Sequence, residues 1–153
     1  MSRIEFDDWV MKIADIVKER STCVSAQVGA VIVKDKHIIS TGYNGAASGA
    51  EHCIDNGFCL RRKMGFKHGE GYEFCKAGHA ESSAIDKCAK YGISCNSATI
   101  YVTEFPCIFC MIRIINSGIK KVIYKGNYMI DQSLKLAKES GIELVKYKEG
   151  ENE

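Results

Sequence analysis

HAESSAIDKCAKYGISCNSATIYVTEFPCIFCMIRIINSGIKKVIYK, residues 79–125, alternates stretches of helical periodicity with stretches of strand character. Gly92 and Gly118 follow the two helical stretches, as glycine commonly does at a helix end. Strands that alternate with helices are typical of a layered α/β sheet with parallel members. The predicted elements are a helix, a strand, a helix and a strand, at 79–91, 98–104, 107–117 and 120–125.

The flanking segments extend this pattern in both directions. The N-terminal segment carries apolar residues at helical spacing, which predicts an amphipathic helix whose stripe lies in the core. Residues 45–78 are rich in Gly, Cys and charge and show no clean period, so a metal could organise them. The flanking elements are a helix at 3–20, strands at 28–35 and 37–44, a helix at 131–139 and a strand at 142–147. The stripe consists of Phe6, Trp9, Val10, Ile13, Ile16 and Val17.

Composition is that of an ordinary soluble globular protein. The 153 residues are 46% hydrophobic and 26% charged, which suits a single domain over 1–153. A net charge of only +2 gives no general drive toward nucleic acid. Neither a secretory leader nor an apolar run near ~20 residues is present, which favours a cytoplasmic protein without a membrane partner. Eight cysteines in a reducing compartment indicate metal more often than disulfides.

Two short motifs carry the chemistry: His79-Ala80-Glu81 and Pro106-Cys107-Ile108-Phe109-Cys110. Either motif alone can arise without a function. A cysteine-rich chain can contain CxxC by chance, and histidine near glutamate is common at solvated helix starts. Between them the chain runs out along a helix of about 18 Å. It returns along a strand of about 23 Å. We therefore expect both motifs at one end of the sheet, each at a helix N-terminus.

Zinc is the metal that this ligand set favours. An imidazole from His79 with thiolates from Cys107 and Cys110 leaves a fourth position open for water, as in catalytic zinc sites. The positive end of the 107–117 helix favours thiolates. Glu81, two residues from His79, is placed to move protons to and from that water without being a ligand.

Together these motifs resemble the deoxycytidylate (dCMP) deaminase family, including its phage and bacterial members. HxE followed by PCxxC is a signature of zinc deaminases of nucleobases. The resemblance implies a cytidine deaminase-like α/β/α sandwich on a mixed sheet of about five strands. It also implies zinc-dependent hydrolysis of dCMP to dUMP and ammonia. The similar segments are STCVSAQVGAVIVKD, STGYNG, HC-x5-C at 52–59, C-x3-HAE at 75–81, YVTEFPCIFC and SGIKKVIY.

Two other functions stay open. One is a deaminase of the same fold for another base, such as tRNA adenosine, guanine or cytidine, although the near-neutral charge counts against a polynucleotide substrate. The other is a non-catalytic zinc module. A closed structural site would need a fourth protein ligand near His79, and the spacing of Glu81 argues against it.

The resemblance also suggests residues for the substrate. Asn44 matches an active-site asparagine of the superfamily, although an asparagine before Gly45 is also a common turn residue. Ser25 stands where many bacterial members have an arginine implicated in holding the phosphate. Gln27, Tyr124 and Lys125 are candidate substitutes for that arginine.

Six further cysteines raise the question of a second, structural zinc. Phage members use positions that match Cys23 and Cys53, and Cys59 and Cys75 could complete a four-thiolate site that ties down residues 45–78. His52 and His68 are the competing ligands. Cys88 and Cys95, within a helix and beside a strand, are predicted to be core residues.

A basic run, Arg61-Arg62-Lys63, lies within the same segment. Its simplest interpretation is a solvated surface. The resemblance suggests a site for a dCTP or dTTP effector, because family members respond to these triphosphates. It also implies a homo-oligomer, with a hexamer favoured.

Overall fold

A mixed five-stranded sheet forms the centre of the computed structural model, which describes residues 1–151. The helices are α1 (Phe6–Lys18), α2 (Cys53–Asn56), α3 (Leu60–Lys63), α4 (Ala80–Tyr91), α5 (Ile108–Asn116) and α6 (Asp131–Glu139), with one 3₁₀ turn at Tyr72–Phe74. The strands are β1 (Gly29–Lys34), β2 (His37–Tyr43), β3 (Gly45–Ala46), β4 (Ala77–Gly78), β5 (Thr99–Val102), β6 (Lys121–Tyr124) and β7 (Glu143–Lys146).

The strand order in the sheet is β2-β1-β5-β6-β7. The antiparallel hairpin β1–β2 occupies one side, and β1 also pairs antiparallel with β5. β5, β6 and β7 are parallel to one another, as the alternation of helices and strands from residue 79 onward predicts. The expectation of a mixed sheet of five strands is confirmed.

Each face of the sheet is covered by helices, because successive strand residues point to opposite faces. On one face Ala30 and Ile32 of β1 pack with buried residues of α4, α5 and α6. On the other, Val31 and Val33 pack against Val10, Met11 and Ala14 of α1. The three layers make up the α/β/α sandwich that the resemblance implies.

The first helix is shorter and less deeply buried than its sequence predicts. It runs from Phe6 to Lys18, inside the predicted range 3–20. Trp9 and Ile16 of the predicted stripe are 42% and 66% exposed, so that part of the prediction is wrong. A single helix covers this face, and its flanks contact solvent where no neighbouring helix encloses them.

The hairpin between β1 and β2 turns at Asp35-Lys36, as predicted, without a glycine. Both residues adopt positive φ angles, 51° and 64°. This is the conformation of a two-residue turn whose twist matches that of the paired strands.

Residues 45–78 are organised by short elements that the sequence does not reveal. β3 and β4 pair antiparallel, with Gly45 opposite Gly78, so the two ends of the segment lie together. α2, α3 and the 3₁₀ turn lie between them. Within residues 1–151 no helix has the length and apolarity needed to span a bilayer.

Candidate active site and metal centre

The two motifs meet at the N-termini of α4 and α5. His79 is the N-cap residue of α4, and Cys107 is the N-cap residue of α5. Their carbonyls accept the first helical hydrogen bonds, from Ser83 N at 2.9 Å and Met111 N at 2.8 Å. Their side chains are therefore fixed at the two helix entrances, where unpaired N–H groups favour negative charge.

His79 Nδ1 lies 3.4 Å from Cys107 Sγ and 3.5 Å from Cys110 Sγ. The three ligand atoms all lie within 4.8 Å of one another. With zinc–sulfur and zinc–nitrogen bonds of about 2.3 and 2.1 Å, a tetrahedral zinc ion needs nitrogen–sulfur edges of about 3.6 Å. The donor set and its spacing fit zinc, and one position of the tetrahedron is left for a non-protein ligand.

The protonation of the triad suits a cation. Hydrogen bonds from the Cys110 thiol and from His79 lower the pKa of Cys107 to about 4. The hydrogen bond to that thiolate raises the pKa of Cys110, and burial raises it further. A metal ion reverses this second effect, because a coordinating thiol loses its proton. The hydrogen bond to Cys107 likewise raises the pKa of His79, against the opposing effect of burial.

Glu81 lies beside the triad on the first turn of α4 and is 4% exposed. Burial raises the pKa of its carboxyl, against the opposing effects of a backbone hydrogen bond and of His79. A carboxyl that is shielded from water and next to a metal centre can hold and release a proton near neutral pH more readily than an exposed glutamate.

Packing holds the two helix entrances in place. A side chain at Gly42 of β2 would meet the carbonyl oxygen of Ala80 at 2.3 Å, so only glycine lets α4 approach the sheet this closely. The hydroxyl of Ser133 on α6 donates to the carbonyl of Pro106 at 2.8 Å and is fully buried. Ser133 thus supports the residue before Cys107, a role with no sequence signature.

Asn44 holds the chain segment before β1. Its Oδ1 accepts from Val28 N at 2.9 Å and its Nδ2 donates to Ala26 O at 2.8 Å. Its carbonyl accepts from the Ser21 hydroxyl at 2.8 Å. The side chain predicted to bind substrate therefore also holds residues 26–28 in place, while the backbone carbonyl of Asn44 holds Ser21.

The other predicted substrate residues lie in different surroundings. Ser25 lies beside the Cys59 thiol and lowers its pKa, although its hydroxyl finds no hydrogen-bond partner of good geometry. Gln27 is exposed. Tyr124 is buried against Phe105, and its hydroxyl donates to Met129 Sδ at 3.2 Å. Lys125 forms an ion pair with Asp15 of α1.

The four cysteines predicted for a second zinc are neighbours. Burial raises the pKa of Cys53, and the charges of Cys23, Cys75 and Cys59 raise it further. Within residues 1–151, however, no three of these sulfur atoms lie within 4.8 Å of one another, in contrast to the His79 triad. His52 Nδ1 is buried without a hydrogen-bond partner at the start of α2. Cys88 and Cys95 are buried in the core, as predicted.

The basic run separates into an inward and an outward part. Arg62 and Lys63 are exposed, and Lys63 Nζ lies over the Phe58 ring. Arg61 is half-buried and stacks on Tyr72, whose ring contacts His79 edge-on. Tyr72 was not predicted from the sequence, because it lies in a stretch with neither a motif nor a period.

Comparison with known proteins agrees with this geometry. Residues 4–126 match the family described as "Cytidine and deoxycytidylate deaminase zinc-binding region". ComE operon protein 2 of Bacillus subtilis is 41% identical over 129 residues, covering 84% of this chain and 63% of that protein. Deoxycytidylate deaminase of Mycobacterium phage D29 is 40% identical over 129 residues, covering 81% of this chain and 97% of the phage protein.

A longer relative and a crystal structure extend the comparison. Deoxycytidylate deaminase of Schizosaccharomyces pombe is 32% identical over 151 residues, covering 98% of this chain but only 46% of the yeast protein. The dCMP deaminase of cyanophage S-TIM5, crystallised with dCMP and dUMP, superposes with a TM-score of 0.78 at 28% identity, covering 96% of this chain and 100% of the phage chain.

The fold and the metal centre are therefore those of a zinc-binding deaminase domain. The chain belongs to the family of cytidine and deoxycytidylate deaminases.

Proposed function

We propose that this protein is a zinc-dependent deaminase that hydrolyses dCMP to dUMP and ammonia. The observation that carries the proposal is the convergence of His79, Cys107 and Cys110 with the buried carboxyl of Glu81. The relatives support dCMP as the substrate: the D29 phage protein, matched over 97% of its own length and 81% of this chain, is named a deoxycytidylate deaminase, and the cyanophage protein was crystallised with dCMP and dUMP.

In this proposal His79, Cys107 and Cys110 hold the zinc, which supplies the Lewis acidity that makes water a competent nucleophile at neutral pH. Glu81 takes a proton from the water that attacks C4 of the cytosine ring. The same carboxyl passes this proton to the ring nitrogen N3. It then takes the second proton, from the new hydroxyl on C4, and delivers it to the departing amino group as the C4 carbonyl forms. A new C–O bond thus replaces the C–N bond, and ammonia leaves neutral.

The substrate-binding roles of Asn44, Ser25, Gln27 and Tyr124 form the second part of the proposal. Asn44 is buried at the edge of the segment that carries Ser25 and Gln27, so it shapes this side of the pocket even where it makes no direct contact. The ring of Tyr124 packs against Phe105, just before the zinc-binding motif.

A structural zinc held by Cys23, Cys53, Cys59 and Cys75 is the third part. The mutual influence of the four thiols and the unpartnered nitrogen of His52 support a cation at this point. A shift of the short elements α2 and α3 would bring the sulfur atoms to bonding distance. Metal binding would then provide the folding energy for residues 45–78.

The remaining parts concern the whole protein. We place the enzyme in the cytoplasm, as a single domain over 1–153 that assembles into a homo-oligomer, with a hexamer favoured. Exposed apolar side chains on α5, Phe109 and Ile112, supply a surface for such assembly. dCTP and dTTP are the proposed effectors. Of the three residues predicted to bind them, Arg61, Arg62 and Lys63, the exposed Arg62 and Lys63 are the main candidates, because Arg61 stacks on Tyr72.

Ammonia release by the zinc-loaded protein tests the proposal. dCMP should be the fastest substrate among dCMP, dCTP, cytidine, guanine and a tRNA carrying adenosine at the anticodon. Deamination of another base without turnover of dCMP would show that the protein is a deaminase with a different substrate. Zinc binding without deamination of any of these substrates would favour the non-catalytic module.

A further inference from the structure

Arg61 is the one member of the basic run that turns toward the metal centre. Its Nε donates to the carbonyl of Glu70 at 2.7 Å, which fixes the plane of the guanidinium. Its Cζ lies 4.1 Å from the centre of the Tyr72 ring. The Tyr72 ring in turn meets His79 edge-on, with ring centres 5.6 Å apart. The guanidinium therefore lies a single aromatic ring away from a zinc ligand.

The positive charge of Arg61 forms no ion pair with a carboxylate in the described part of the chain. Within residues 1–151 no carboxylate lies within 4.0 Å of its guanidinium. The nearby Glu70 carboxylate accepts instead from the backbone N–H of Lys67 at 3.1 Å. With Nε engaged, the two terminal nitrogens remain as a planar fork, which is the geometry that suits a phosphate.

Two other cations, Lys125 and Arg113, are paired with carboxylates. Lys125 pairs with Asp15 on the opposite face, and Arg113 pairs with Asp86. Lys76 and Arg61 each act on a thiol of the cysteine cluster, Lys76 on Cys53 and Arg61 on Cys59, but Arg61 alone of the two stacks on Tyr72. Arg61 is thus the cation that combines partial burial, a fixed orientation and proximity to His79.

We infer that Arg61 binds the 5′-phosphate of the nucleotide substrate. The inference rests on the proposed function. In the nucleotide, the pyrimidine ring and the sugar separate C4 from the 5′-phosphate. Tyr72 likewise separates His79 from Arg61, with its ring centre 5.6 Å from the His79 ring and 4.1 Å from Arg61 Cζ. The phosphate supplies the counter-charge, and Tyr72 keeps the guanidinium in place before the substrate arrives.

The experiment compares a phosphorylated substrate with its unphosphorylated counterpart. Arg61→Gln should lower kcat/KM for dCMP roughly 10- to 100-fold, because a charged hydrogen-bonded contact to phosphate is lost. kcat/KM for deoxycytidine should stay nearly unchanged. Arg61→Lys should recover part of the dCMP activity, since it keeps the charge without the planar fork. Lys67→Gln, which removes an exposed charge from the same segment, is the matched control and should leave both values unchanged.

Calorimetry on the zinc-loaded protein provides a readout independent of turnover. Wild-type protein should bind dUMP more tightly than deoxyuridine, and Arg61→Gln should remove most of that difference. Equal losses for dCMP and deoxycytidine would show that Arg61 only supports Tyr72 and would overturn the inference, as would an unchanged preference for dUMP. Failure of the wild type to deaminate either substrate would count against the proposed function. The comparison of dUMP with deoxyuridine binding would still test whether Arg61 binds the phosphate.

Discussion

Glu81 is the proposed acid–base residue, and it is separate from the three metal ligands. It lies two residues from His79, on the first turn of α4. It does not belong to the cluster of His79, Cys107 and Cys110. Its burial on the first turn of α4 gives it the environment of an acid–base group and not of a surface glutamate.

Glu81→Ala should therefore leave the catalytic zinc bound while removing nearly all turnover. General acid–base groups contribute about 10²- to 10⁴-fold, and one carboxyl here serves several proton transfers, so the loss should reach the upper end or exceed it. Zinc analysis and ammonia release on the same preparation check this. Turnover near that of the wild type would contradict the mechanism.

Asn44 holds residues 26–28 in place and is also proposed to act on the substrate. Asn44→Ala removes two side-chain hydrogen bonds, to Ala26 O and Val28 N, and leaves these backbone groups unpaired. The expected loss in the free energy of unfolding is about 1–3 kcal/mol, measured by denaturant titration. KM for dCMP should rise together with this loss, because residues 26–28 are released. A large rise in KM at unchanged stability would show that the amide acts on the substrate alone.

Among the elements, those from α4 onward could be predicted from the sequence because each has its own local signal. α6 matches its predicted range 131–139, and α4 and α5 fall within one residue of theirs. Gly92 and Gly118 adopt positive φ angles, 68° and 88°, which is the reason that glycine marks these helix ends. The approach of His79 to the two cysteines followed from the similar lengths of one helix and one strand.

The segment between β2 and α4 could not be predicted in the same way. Its order comes from contacts between residues far apart in sequence, such as the pairing of Gly45 with Gly78. α2 and α3 have four residues each, too few to produce a helical period. The contact of Arg61 with Tyr72 and the hydrogen bond from Ser133 to the Pro106 carbonyl likewise depend on tertiary structure, so no sequence pattern predicts them.

At the same scale, the four-cysteine cluster predicts the metal content. Purified protein should contain about two zinc ions per chain, and Cys53→Ser should contain about one and be less stable, because structural zinc contributes directly to folding. Cys88→Ala is the control: it alters a buried cysteine outside both sites and should keep both ions. Atomic absorption and thermal unfolding provide the measurements. One zinc ion in the wild type would eliminate the second site.

At the scale of the whole molecule, residues 45–78 connect the surface to the metal centre. Their two ends pair as β3 and β4, next to Asn44 on one side and His79 on the other. Arg62 and Lys63 are exposed on α3, while Arg61 of the same helix contacts Tyr72 and through it His79. A charge bound on the outer side of α3 therefore has a short, packed route to a zinc ligand.

This route predicts control by a triphosphate effector. Phosphates bound at Arg62 and Lys63 would fix α3 and with it the position of Arg61, a coupling typically of about 1–3 kcal/mol. In a closed oligomer such shifts pass between subunits, so the rate against dCMP should be sigmoidal without dCTP and hyperbolic with it, and dTTP should oppose the effect.

Arg62→Glu should weaken the response to dCTP and spare the maximal rate, because Arg62 is exposed, whereas it is Arg61 that contacts Tyr72. Lys67→Gln again serves as the control for loss of charge and should retain the response. Steady-state rates with and without dCTP, combined with the molecular mass in solution, provide the test. A hyperbolic dependence of the rate on dCMP that neither dCTP nor dTTP changes would show that Arg62 and Lys63 form a solvated surface. Phosphate binding by Arg61 would still be tested by the comparison of dCMP with deoxycytidine.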